Sequence, residues 1–408
     1  MAYNNYYSYL AISILNLAST FIVQIVVPYV ITLNLGAENY AQWIFYFSFL
    51  ALLNLADFGV IQNTQYSLLS ALQKSKNNFV EFYRQSRDFM FSVTVLSVSL
   101  IFLLSIYLSN FILFFISLGI LINNLIRFNV VILRSIDQVS YYFLYTIILN
   151  LVLVLFVSFA VFNSDHLEYA CFAFAIAQLL IYILCRSHVK RDLANIHNQP
   201  SVEDIKFTIS IPENSSKYWK LTSLQTINQN IVIFLLGFTL IPTHLAALGA
   251  MRLLANIGVQ ATSLVTNVLL PRATYLNANN SHDLIKYKKK FFVLIFSTAL
   301  IFTIFMSYFG NHIFSIWMGE LLLFDQYLLF LLLARMTCVV VGYALQNYEV
   351  SVGYPKYTLY MEFFIVVMTL AGFTLSVYLS LEIYNLFILS FIAPYLLFLV
   401  ISFLFKVG

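Results

Sequence analysis

Arg127, Arg252 and Arg335 each stand inside a run of apolar residues, and so does Asp57. A charged side chain near the centre of a membrane helix costs on the order of 2.5–3.5 kcal/mol, and three arginines together roughly 8–10 kcal/mol. Such residues must face water, a partner or a substrate. The planar guanidinium fork suits the paired oxygens of carboxylates and phosphates. Arg335 lies about nine residues past the outer boundary of its run, which at ~1.5 Å per residue places it near the midplane. Arg252 heads a stripe with Asn256, Gln260, Ser263 and Asn267, spaced to share one helix face. Arg127 follows Asn123 on one face, toward the cytoplasmic end of its run, where snorkelling is an equal alternative. Asp57 could pair with an arginine, cap a helix break before Gly59, or carry a coupling proton or sodium ion. Glu349 and Glu362 lie closer to the inner surface.

The elements that position these groups follow from composition. The chain of 408 residues is 61% hydrophobic and 9% charged, with a mean hydropathy of +0.87; globular proteins are near 45–50% apolar and about 25% charged. This excludes a soluble enzyme, a nucleic-acid binder and a secreted scaffold. Runs of roughly 20 apolar residues occupy about 9–33, 41–69, 89–109, 111–133, 139–162, 169–186, 221–241, 245–270, 291–310, 327–349, 357–379 and 384–404. The expected architecture is an all-α polytopic membrane protein of about twelve transmembrane helices in two six-helix halves. The first run is too long for the apolar core of a cleaved signal peptide. Cys171, Cys185 and Cys338 form no metal or disulfide spacing.

With these spans, every Lys and Arg other than the three intramembrane arginines falls on one face. Basic loops mark the cytoplasmic side, so both termini are expected inside. Trp43, Trp219 and Trp317 fall at expected interfaces. The polar stretch 186–220 reads as a cytoplasmic linker between an N-terminal bundle, 1–200, and a C-terminal bundle, 201–408. The outer stretch 310–326 reads as an interfacial segment. A shift of 206 residues brings Asn16, Thr20 and Gln24 onto Thr222, Thr226 and Asn230. It also brings Asn54 onto Gln260 and Asp57 onto Ser263, the pattern of a parallel internal repeat.

The chain contains no GxxxxGK[ST] loop, HExxH pair or GxSxG elbow. No catalytic residue, metal or cofactor is therefore expected. The candidate central-cavity residues are Arg335, Arg252, Arg127, Asn256, Gln260, Asn16, Thr20, Gln24, Thr226 and Asn230, with Asp57 as an ion-coupling or structural group.

This layout resembles the multidrug/oligosaccharidyl-lipid/polysaccharide exporter superfamily, and within it the polysaccharide-biosynthesis, or O-antigen flippase, branch. Leu55-Ala56-Asp57-Phe58-Gly59-Val60 looks like the family's Asp-aromatic-Gly at the end of span two. Pro271-Arg272 is similar to its proline closing span eight, and Gly353-Tyr354-Pro355-Lys356 to its turn before span eleven. The chain departs from the family by its scarcity of glycine and its richness in Tyr and Phe. The resemblance implies alternating-access translocation of an undecaprenyl-diphosphate-linked oligosaccharide across the bacterial inner membrane. Its implied partners are that lipid-linked oligosaccharide, membrane lipids, a polysaccharide polymerase and a chain-length regulator, with no nucleic acid. A cation-coupled multidrug exporter of the same fold is one alternative. A membrane polysaccharide polymerase or glycosyltransferase is another, although no sizeable extramembrane loop is present to house its chemistry.

Overall fold

The computed structural model describes residues 4–64, 76–135, 139–197, 207–208, 211–212, 215–278, 283–352 and 356–404. Among them there is no strand. The helices are α1 (Asn4–Leu35), α2 (Ala37–Leu50), α3 (Lys76–Tyr107), α4 (Phe111–Ser135), α5 (Val139–Phe162) and α6 (Leu167–His197). They continue with α7 (Ser215–Leu236), α8 (Pro242–Ala278), α9 (Asp283–Met318), α10 (Gln326–Val352), α11 (Lys356–Tyr378), α12 (Ile383–Phe387) and α13 (Ala393–Leu404). Among the described residues, eight helices are long and apolar enough to cross a membrane, and Gln326–Gly342 and Ile383–Phe398 are shorter apolar helices. Leu103, Phe159 and Ile301 are among the large side chains left exposed on the spans. That surface suits hydrocarbon rather than water.

Several stretches differ from the sequence reading. The run 41–69 is no continuous helix: α2 tightens into a 3-10 helix over Ala51–Asp57 and breaks at Phe58 and Gly59. Both have positive φ, 48° and 75°. The expected linker is helical as far as His197, and the expected interfacial segment begins as the last turns of α9. Trp43 and Trp317 are buried against protein, at 8% and 9% exposed. The run 221–241 starts earlier, as α7, and the polar sequence from Thr222 to Asn230 keeps that helix out of the strongly apolar set. The side chains of Ser263, Asn267, Pro271 and Arg272, and residues 353–355, lie outside the described residues.

Contacts group the chain into two compact units, Met1–Thr226 and Ile227–Gly408, so the division falls within α7. In the first unit α4 is central and packs on α2, α3, α5, α6 and the 3-10 segment. Gly119 permits the close approach of α6, because a Cβ there would enter the ring of Phe174. That ring meets Phe47 edge-on at 4.9 Å. The α3–α4 turn is made by Ser109 at φ 51° and by Asn110, whose Oδ1 accepts the Leu113 N–H at 3.1 Å. The side chain thus serves one of the four unpaired N–H groups at a helix start. In the second unit α8 packs on α9 and α10, and α11 packs on α13 and the π-helical turn Ile388–Ile392.

Gly59 and Gly36 separate two effects of a side chain at positive φ. A Cβ on Gly59 would meet Trp219 N at 2.5 Å, whereas one on Gly36, at φ 86°, would meet nothing. Gly36→Ala adds backbone strain of about 1–3 kcal/mol, since its φ 86° and ψ 167° fall in a region kept essentially to glycine; Gly59→Ala adds overpacking of about 1–3 kcal/mol on top of the strain of its own positive φ. Thermal unfolding in detergent is expected to show the larger fall for Gly59→Ala.

Candidate functional site: buried charges in each unit

In the first unit, between Ile116 and Leu133 of α4, every residue is buried except half-buried Leu118 and Asn123 and exposed Arg127. Asn123 and Arg127 are one turn apart on one face. A helix enclosed this thoroughly opens at a guanidinium. A charge at such an opening favours a wet recess over hydrocarbon.

Asp57 interacts electrostatically with Arg127. It is buried, 3% exposed, and its Oδ1 accepts the Gly59 N–H at 2.9 Å; the Ile61 N–H is a further donor to the carboxylate. The side chain therefore satisfies backbone donors freed where the helix breaks. The break is clasped to the start of α7. The Trp219 Nε1–H donates to the Leu55 carbonyl at 3.0 Å, and the Trp219 ring stacks on Phe58 with centroids 5.5 Å apart. Asn63 Nδ2 donates to Ser215 Oγ at 2.9 Å. From α4, Asn124 donates from Nδ2 to the Leu53 carbonyl at 3.3 Å, which ties the 3-10 segment to the helix that carries Arg127.

The first polar trio lies half-buried on α1. Thr20 is engaged with α5, since Asn150 Nδ2 donates to Ser19 Oγ at 2.9 Å and to Thr20 Oγ1 at 3.1 Å. The amide oxygens of Asn16 and Gln24 are buried without a hydrogen bond. On α7, Thr226 is buried and Asn230 half-buried.

In the second unit Arg252, Asn256 and Gln260 are half-buried along α8, and Arg252 Nη2 donates to the Gln229 carbonyl. Arg335, bonded to the adjacent α7 carbonyl, is more deeply enclosed, at 9% exposed. Its Nη2 donates to the Asn228 carbonyl at 2.7 Å. The Asn228 side chain donates from Nδ2 to Glu362 Oε2 and to the Tyr395 hydroxyl, both at 2.8 Å. Sequence reasoning missed Asn228 and Tyr395 and placed Glu362 only by depth. The signal was available in part: Asn228 sits two residues before Asn230, on a different face of the same polar helix. Tyr395 carried none, being one tyrosine among 28.

Comparison with known proteins places the fold. No family model and no curated protein matches the chain. Solved structures do. An outward-facing multidrug resistance MATE family transporter of the MOP superfamily aligns with a TM-score of 0.70 at 14% identity, over 98% of this chain and 93% of that one. An inward-facing one aligns with a TM-score of 0.71 at 13% identity, over 96% and 97%. The MATE multidrug transporter DinF-BH gives 0.68 at 13%, over 97% and 95%. The chain shares the fold of these MATE structures.

The geometry around Asp57 yields a test. Asp57→Ala removes an acceptor from buried N–H groups and is expected to lower stability by about 1–3 kcal/mol, read as a fall in the thermal unfolding midpoint. A midpoint unchanged from the parent protein would contradict a bracing role.

Proposed function

We propose that this protein is a multi-pass membrane transporter, and that it flips an undecaprenyl-diphosphate-linked oligosaccharide to the outer leaflet of the bacterial inner membrane by alternating access. The fold supports the transporter class. The observation that carries the substrate is Arg127, the exposed residue of the otherwise buried or half-buried stretch Ile116–Leu133, with half-buried Asn123 one turn away. A diphosphate crossing hydrocarbon unpaired would pay several kcal/mol per charge, and a guanidinium offers it two parallel donors. Arg252, Asn256 and Gln260 supply a second, half-buried polar row, suited to phosphate and sugar hydroxyls. Exporting about two negative charges from an inside-negative cell gains roughly 4–5 kcal/mol per 100 mV, so nucleotide hydrolysis is not required. Surface polysaccharide of the O-antigen or capsule kind would be the product of this step.

A second reading, a cation-coupled multidrug exporter, is favoured by the buried carboxylates Asp57 and Glu362 and by the multidrug transporters among the structural neighbours.

The test is transport by the purified chain in vesicles, using a fluorescent undecaprenyl-diphosphate oligosaccharide and, separately, a cationic dye. Movement of the lipid-linked sugar is expected. Arg127→Ala should lower its initial rate at least about tenfold, the loss of one charge-assisted contact, and Arg127→Lys should retain part of it. Dye transport with an unmoved lipid-linked sugar would favour the second reading.

A further inference from the structure

Four helices of the second unit meet at one buried polar cluster. Asn228 comes from α7, Arg335 from α10, Glu362 from α11 and Tyr395 from α13. Their exposures are 6%, 9%, 5% and 5%. Around them lies apolar packing: Met361, Ile365 and Phe398 form a core with Tyr395, lined by Cys338, Val339, Tyr357 and Phe364.

Asn228 touches both charges. Its amide nitrogen donates to the Glu362 carboxylate, and its backbone carbonyl accepts from the Arg335 guanidinium. Both charges lie within electrostatic reach of the Tyr395 hydroxyl, on which they act in opposite senses. Arg335 makes this hydrogen bond from Nη2, and its Nε is buried with none. Hydrogen bonding is therefore incomplete at the guanidinium, and charge balance must supply much of what holds it there. A carboxylate enclosed in apolar packing needs a positive charge close by, and the guanidinium supplies one that cannot diffuse away or lose its proton.

We infer that Arg335 is the covalently tethered counter-cation of Glu362, and that removing its side chain opens a site for a free monovalent cation beside that carboxylate. The role differs from holding the transported headgroup. It concerns how the proposed transporter balances charge, and its test reads stability, so it stands or falls apart from the flippase reading.

The experiment uses the full chain in detergent. Thermal unfolding is followed in sodium, choline or dilute guanidinium chloride at constant ionic strength, for the parent protein, Arg335→Ala, Arg335→Lys and the double variant Arg335→Ala/Glu362→Gln. The parent midpoint is expected to be the same in sodium and choline. Arg335→Ala should fall by about 10 °C, as for breaking a buried pair, and should recover saturably in guanidinium or sodium. Arg335→Lys should keep most of the parent midpoint. The double variant should exceed Arg335→Ala and ignore the cation. A parent protein saturably stabilised by sodium overturns the proposal, and so does a double variant no more stable than Arg335→Ala. If Arg335→Ala gives no monodisperse protein, recovery of folded double variant is the expected rescue, and its absence is the overturning result.

Discussion

A charge inside a low-dielectric slab is tolerated only where something compensates it, and this chain contains few charges to do so. Each unit meets the constraint differently. In the first, Asp57 is braced by backbone N–H groups at a helix break and lies within electrostatic reach of Arg127. In the second, Asn228 joins Arg335 and Glu362 within apolar packing. The architecture follows these needs: the kink after α2, the polar α7 and the close contact at Gly59 all serve to seat polar groups that hydrocarbon would reject.

The two units use their arginines differently as a result. Arg127 is the exposed residue within the stretch Ile116–Leu133 of α4. Arg335 is turned into a cluster whose members already engage one another. Arg252 is intermediate, half-buried and bonded to a backbone carbonyl. Depth in the sequence did not distinguish these cases, because depth does not say which way a helix face points.

Much of the helical layout was legible because apolar runs of membrane length leave little choice but helix. The Ser109–Asn110 division is an example, with positive φ and an asparagine cap where the sequence offered only two polar residues. The break in the second run was harder to see. Phe58 carries no sign of left-handed backbone, and the cause lies partly in Trp219 and Ser215, more than 150 residues away. Thr20 illustrates the same limit at the candidate site: its hydroxyl meets Asn150 on a neighbouring helix, a partner that a single-helix pattern cannot reveal.

The most direct test of the account is the water accessibility of position 127. Arg127→Cys would be exposed to a charged, membrane-impermeant thiol reagent in inverted vesicles. Cys171 and Cys185 are buried and thus slow to react, and the parent protein measures any background from half-buried Cys338. Rapid labelling, slowed by undecaprenyl diphosphate but not by undecaprenol, is the predicted result. No labelling, or labelling that the lipid diphosphate leaves unchanged, would contradict it.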